Sequence, residues 1–179
     1  MASGLASRKT SWVTGVAMIP RSEVTLRGAI PEDAPTIAEI WQLGWHDGHL
    51  GFMSQELIEA RHEDSFRTRA AQRVNDTTVA AVQGQIAGFV MVADNEVEQV
   101  YVSAVHRGKG VADTLMADAE RRIKDAGYST AWLAVVAGNA RARRFYERRG
   151  WSDGDLFEYA AAGDHDPIPV PSHRYLKDL

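Results

Sequence analysis

The chain has 179 residues, 45% of them hydrophobic and 25% charged, proportions that suit one compact domain with a single good-sized core. Its formal net charge of −4 argues against nucleic acid as the main partner, because phosphate backbones are bound by basic surfaces. There is no cysteine, which excludes a disulfide framework, a zinc–thiolate site and covalent chemistry through a protein thiol.

Residues 1–21 are rich in Ser, Gly, Ala and Thr with no sustained period. They read as a flexible extension, leaving 22–179 as a single domain. The apolar run at 12–19 is interrupted by Thr14 and Gly15 and is far too short to span a bilayer, so a cytoplasmic protein with no membrane partner is expected. Residues 23–30 alternate as a strand, and Pro31, Glu32 and Asp33 open a helix with acid in its first turn. Ile37, Ile40, Trp41, Gly44 and Trp45 continue it at helical spacing. A second, more polar helix is predicted over 55–73.

Strands are predicted at 77–82 and 86–93, joined by a tight turn at Gln83, Gly84 and Gln85, with a third strand at 96–103. After a glycine-bearing loop, Ala112, Leu115, Met116, Ala119, Ile123 and Ala126 follow the i, i+3, i+4, i+7 rule, and Gly127 stops that helix. A buried strand at 130–136, a helix at 140–149 ended by Gly150, and a strand at 151–160 follow. Pro167, Pro169 and Pro171 suit an edge or linker before a short last strand at 173–176. The pattern is that of an α/β domain with one mixed, mostly antiparallel sheet of six to seven strands and flanking helices.

The informative stretch is 100–112, Val-Tyr-Val-Ser-Ala-Val-His-Arg-Gly-Lys-Gly-Val-Ala, where a strand gives way to a basic loop and then a long helix. The first amides of a helix have no intrahelical acceptor and carry the positive end of the macrodipole, so such a junction binds phosphates. A Walker loop would need Ser or Thr after Gly108-Lys109, where Gly110 stands. The dinucleotide fingerprint would need Gly or Ala where Asp113 stands.

What remains is Arg-x-x-Gly-x-Ala, formed by Arg107, Gly110 and Ala112. Here the sequence resembles the acyl-CoA-binding motif of GNAT-type N-acetyltransferases. Val100, Tyr101 and Val102 look like that family's strand before the motif, 139–150 looks like its second conserved segment, and the element order from residue 23 onward is similar to its fold. The resemblance implies acetyl-CoA as cosubstrate, held by Val100, Tyr101, Val102, Arg107, Gly108, Lys109, Gly110, Val111, Ala112, Asn139 and Tyr146 in the gap where a parallel strand pair splays apart. It implies a small-molecule, peptide or protein amine as acceptor, no metal, and a homodimer as a reasonable assembly.

Transfer to an amine needs a neutral nucleophile, a stabilised oxyanion and a protonated leaving thiolate. A primary ammonium has a pKa of about 10.4, so a base must take its proton. Glu98 occupies the position where many relatives carry a glutamate, two residues beyond Glu96 on the same strand; both can equally be solvated residues at a strand start. The Val102 amide is the resemblance-based oxyanion donor, and Tyr146 sits where the family places a tyrosine that protonates the coenzyme A sulfur. Asn139 reads as a helix N-cap that also meets the pantetheine arm. Trp45, His49 and Phe52 are candidates for the acceptor pocket, with core packing of the tryptophans as the alternative. Two further functions compete with transfer: a non-catalytic acyl-CoA-binding sensor, and a regulatory domain that uses the same loop for ATP or NAD.

Overall fold

The computed structural model describes residues 24–49, 51, 53–163 and 166–179. The expected extension at 1–21 and Phe52 lie outside the described residues. Seven strands form one sheet in the order β1-β2-β3-β4-β5-β7-β6, where β1 is Val24–Gly28, β2 Thr77–Val82, β3 Gln85–Ala93, β4 Glu96–Val102, β5 Thr130–Val136, β6 Ser152–Ala161 and β7 Ile168–Asp178. Five α-helices flank it: α1 (Ala34–His49), α2 (Gln55–Ala60), α3 (Glu63–Gln72), α4 (Val111–Asp125) and α5 (Ala140–Arg148). The expected architecture, one mixed and mostly antiparallel sheet with a single parallel pair, is present.

Local chemistry explains most boundaries. Gln83 and Gly84 both take positive φ, 51° and 78°, giving the two-residue turn whose twist matches a hairpin. Asp33 accepts from both guanidinium nitrogens of Arg27 at 2.6 and 2.9 Å and from the Ile30 amide at 2.9 Å, which ties β1 to the start of α1. Gly127 at φ 95° ends α4 as expected.

Two expectations are corrected. The helix predicted over 55–73 is two helices, because Arg61 leaves helical geometry and His62 is extended, its Nδ1 accepting from the Ser65 amide at 3.3 Å to cap α3. The last strand runs over Ile168–Asp178, not 173–176, and lies between β5 and β6 instead of at an edge. Pro169 and Pro171 are tolerated because β5 pairs only from Ser172 onward. The Pro171 carbonyl faces the chain just past the end of β5, where it accepts from Ala137 at 3.5 Å. The missing N–H groups therefore point where there is no ladder to complete.

The sheet buries both faces. Ile37, Trp41 and Phe66 pack with Phe89 and Met91 on one side, and Leu115, Met116 and Ile123 pack with Val90, Leu133 and Tyr175 on the other. β3 is therefore an almost continuous apolar run. Each fully buried large side chain contributes about 1.5–3 kcal/mol.

Two irregularities make room for a site. β4 and β5 share one register pair, Glu96 with Trp132, beside a Trp132 amide bond to Asn95 of 3.0 Å, and then diverge. On its other side β4 slips against β3: Met91 faces Gln99 and Val92 faces Val97, leaving Glu98 as the extra residue of a bulge.

Candidate active site

Where β4 and β5 part, β4 loses its partner on that side. Ser103 N donates to Ala87 O at 2.9 Å, and Gly88 faces Val102 in the register. The alternation of an antiparallel ladder therefore turns the amide and carbonyl of Val102 away from β3, into the gap. The carbonyl accepts from Arg107 Nε at 3.3 Å. The amide is left facing the cleft.

The loop after β4 makes one turn of 3-10 helix at Ala104–His106 and reaches α4 through Gly108 and Gly110, at φ 74° and 83°. Gly110 caps α4 without any side-chain hydrogen bond, and the first amide accepted within the chain is that of Thr114, on Gly110 O at 3.1 Å. The amides of residues 108–113 have no acceptor among the described residues, so a cradle of donors sits at the positive end of a 15-residue helix. Arg107 pairs with Asp47 of α1, and Arg141 of α5 approaches the same carboxylate at 3.5 Å.

This cradle is one wall of a cavity of about 450 Å³. Val100, Tyr101, Val102, Arg107, Gly108, Gly110, Val111, Ala112, Asn139 and Tyr146 all line it, while Lys109 is exposed and does not. The sequence reading missed Gly44, Gly48 and His49 on this wall. Gly44 and Gly48 stand one turn apart on α1, a spacing that was available as a signal of close approach.

A second cavity of about 250 Å³ opens between α1, α2, α3 and the splayed strands. Trp45 and His49 line it, with Trp41, Arg61, Arg69, Glu98 and Tyr159. His49, Val100, Tyr101, Asn139, Ala142 and Tyr146 line both cavities, so the two meet at the mouth of the splay.

The ionisable groups around this meeting point are shaped by burial. His49 Nδ1 is 3.0 Å from Trp45 O; a carbonyl only accepts, so this nitrogen carries the proton and Nε2 of the neutral ring is free to accept. Burial holds its pKa below the usual histidine range, with Arg61 acting in the same sense. Burial pushes the Tyr146 hydroxyl well above the ordinary phenol value, opposed by Arg149. That hydroxyl has no hydrogen-bond partner among the described residues.

Glu98 keeps 15% of its side-chain exposure and lies with Oε2 at 2.5 Å from Arg73 Nη1. The contact is an ion pair off the direction of an aligned hydrogen bond, which leaves this buried oxygen without a well-placed donor. Glu96 does not join it in the cavity, because its carboxylate accepts from the Tyr159 hydroxyl at 2.9 Å. Asn139 caps α5 as expected, accepting from the Ala142 amide at 3.0 Å. The basic face of α5 divides: Arg143 binds Asp153 and Arg149 binds Asp113 and Glu120, while Arg141 and Arg148 face the larger cavity.

Known proteins resemble this chain in sequence and in fold. Streptothricin acetyltransferase of Streptomyces lavendulae is 29% identical over 147 residues, 76% of this chain and 70% of that one. An uncharacterised N-acetyltransferase of Mycobacterium tuberculosis is 28% identical over 88 residues, covering 46% of this chain and 56% of its own. Among solved structures, a GCN5-related N-acetyltransferase of Rhodopseudomonas palustris superposes with a TM-score of 0.69 at 23% identity, over 87% of this chain and 95% of that one. PaiA N-acetyltransferase of Thermoplasma acidophilum, solved in complex with coenzyme A, gives 0.65 at 21%, over 87% and 99%. Both share the fold. The sequence model of the acetyltransferase (GNAT) family matches residues 37–151, more than half of the chain, and the protein therefore belongs to that family.

Proposed function

We propose that this protein transfers the acetyl group of acetyl-CoA to a primary amine in the cytoplasm, by direct attack of the amine at the junction of the two cavities. The observation that carries the reading is the junction itself. A cavity ending in an amide cradle and a separate cavity holding a carboxylate meet at Val100, Tyr101, Asn139 and Tyr146.

The residues present fit the cosubstrate. Successive free amides, two glycines in left-handed geometry and the cations of Arg107 and Arg141 suit a pyrophosphate. Acetyl-CoA, when bound, supplies the acetyl group as a thioester. The side chains then divide the work. Glu98, ion-paired with Arg73 and lining the smaller cavity, takes the proton from the acceptor ammonium. The Val102 amide, turned into the gap, donates to the oxygen that gains charge. Tyr146, its hydroxyl free of partners among the described residues and kept protonated by burial, donates to the departing sulfur. Trp45, His49 and Phe52 belong to the acceptor side of this proposal, and the acceptor is a small-molecule, peptide or protein amine.

The test is calorimetric titration with acetyl-CoA, ATP and NAD, followed by thiol release across a panel of amines. Micromolar binding of acetyl-CoA alone with amine-dependent thiol release is the expected result. Binding without release toward any amine would replace the transferase by an acyl-CoA sensor; binding of ATP or NAD in place of acetyl-CoA would replace both.

A further inference from the structure

Arg69 projects from α3 with its guanidinium carbon 4.6 Å from the centre of the Trp41 ring. It forms no ion pair and no side-chain hydrogen bond among the described residues. Arg73, one turn along, differs: Nε is 2.8 Å from Asp76 and Nη1 is 2.5 Å from Glu98. Arg69 is only partly exposed, and burial lowers its pKa, opposed by the nearby charge of Glu98. A desolvated guanidinium is costly without an anion, and an aromatic face offsets only part of that cost. The partner that a guanidinium fork matches best is a planar pair of oxygens.

Its position says where that partner comes from. Arg69 lines the inner cavity at the splay and also an outer cavity of about 520 Å³, and Arg61, Glu98 and Ala162 line both with it. The acceptor path thus passes Arg69 before it reaches the junction. In the inner wall Arg69 stands beside the carboxylate of Glu98, which is ion-paired with Arg73. A molecule with a cationic and an anionic end can meet Glu98 with the first and Arg69 with the second.

We propose that the acceptor is a primary amine that carries its own carboxylate, of the amino-acid class, and that Arg69 receives that carboxylate while the amine faces Glu98. The proposal rests on the transferase reading above and narrows it.

The test measures thiol release from acetyl-CoA with a panel of amino acids, each beside its carboxamide and its decarboxylated amine. The wild type, Arg69→Gln and Arg69→Lys are compared, with melting curves and acetyl-CoA titration confirming that each variant is folded. The free acids are expected to exceed their carboxamides in kcat/KM by about tenfold or more. Arg69→Gln should remove that advantage, chiefly through KM, with a loss on the free acids at least about tenfold larger than on the carboxamides, and Arg69→Lys should restore part of it. Equal rates for acids and carboxamides, or an equal loss on both in Arg69→Gln, would overturn the carboxylate subsite and leave amine transfer standing. No release with any amine despite acetyl-CoA binding would overturn the transferase reading and the subsite together.

Discussion

Tyr101 of β4 lies against α1 at Gly44, one of that helix's two glycines: a Cβ added there would overlap Cδ1 of the Tyr101 ring and lie 3.2 Å from Cε1. The ring also packs on Phe89, with centroids 5.8 Å apart, and lines both cavities. It therefore has little freedom to retreat. Gly44→Ala is expected to destabilise the fold by about 1–3 kcal/mol and to weaken acetyl-CoA binding, because the displaced ring moves into the site. Melting curves and calorimetry on the same preparation check both.

Glu98 is the bulge residue of β4, and the bulge aims it into the acceptor cavity while Glu96 stays on Tyr159. Glu98→Gln keeps the shape and removes the base proposed above. A fall in kcat/KM of about 100-fold or more is expected, with acetyl-CoA affinity unchanged since Glu98 does not line the larger cavity. A variant of normal activity would pass the role to another group, with the free Nε2 of His49 next in place.

The sequence pattern made the frame legible and left the acceptor side obscure, for a physical reason. α4 was readable because its apolar positions fall at helical spacing and Gly127 stops it; the turn into α4 was readable because its conformation demands Gly108 and Gly110. Arg69 was not, because on a polar helix its spacing equals that of any solvated residue, and only the packing of α3 on Trp41 turns it inward. The break at His62 was hidden because a histidine cap carries no strong sequence signal. The interior position of β7 was hidden because prolines count against a central strand unless one knows where the neighbouring strand stops.

The Tyr146 hydroxyl contributes nothing to the fold that a hydrogen bond would, since it has no partner among the described residues, while its ring packs on Trp151 and Tyr175 at 6.2 and 6.1 Å. Tyr146→Phe should therefore melt within a few degrees of wild type and yet lose kcat by about tenfold to 100-fold. The loss should shrink when the thioester has a more acidic leaving thiol, which needs less help from an acid. Insensitivity to the leaving group would remove Tyr146 from the proton transfer.

Asp47 occupies Arg107 and Arg141 together, the two cations facing the cradle. A pyrophosphate arriving there competes with this carboxylate for the same guanidinium groups. Asp47→Asn is expected to tighten acetyl-CoA binding severalfold at low ionic strength, with the gain fading as salt is raised past about 0.15 M. Weaker binding in the variant would mean instead that Asp47 holds Arg107 in its receiving position.

Glu96 contributes to the pH dependence of stability of the site region, in the sense opposite to the buried His49. Burial raises its pKa and the neighbouring Glu98 charge adds to this, while the Tyr159 hydrogen bond, Arg73 and Arg174 act against it. A carboxyl whose folded pKa exceeds its unfolded value of about 4.3 binds protons more tightly in the native state. Its contribution is complete at pH below that unfolded value and is lost as pH rises through the folded pKa. At neutral pH the ionised Glu96 thus costs stability. Glu96→Gln removes the charge and keeps an oxygen to accept from the Tyr159 hydroxyl, so it should melt higher than wild type at pH 7.5, with the difference closing as pH falls toward 4.5. A variant that melts lower at pH 7.5 would mean that the cations and the tyrosine outweigh burial, and that the carboxylate braces β4 where it begins to part from β5.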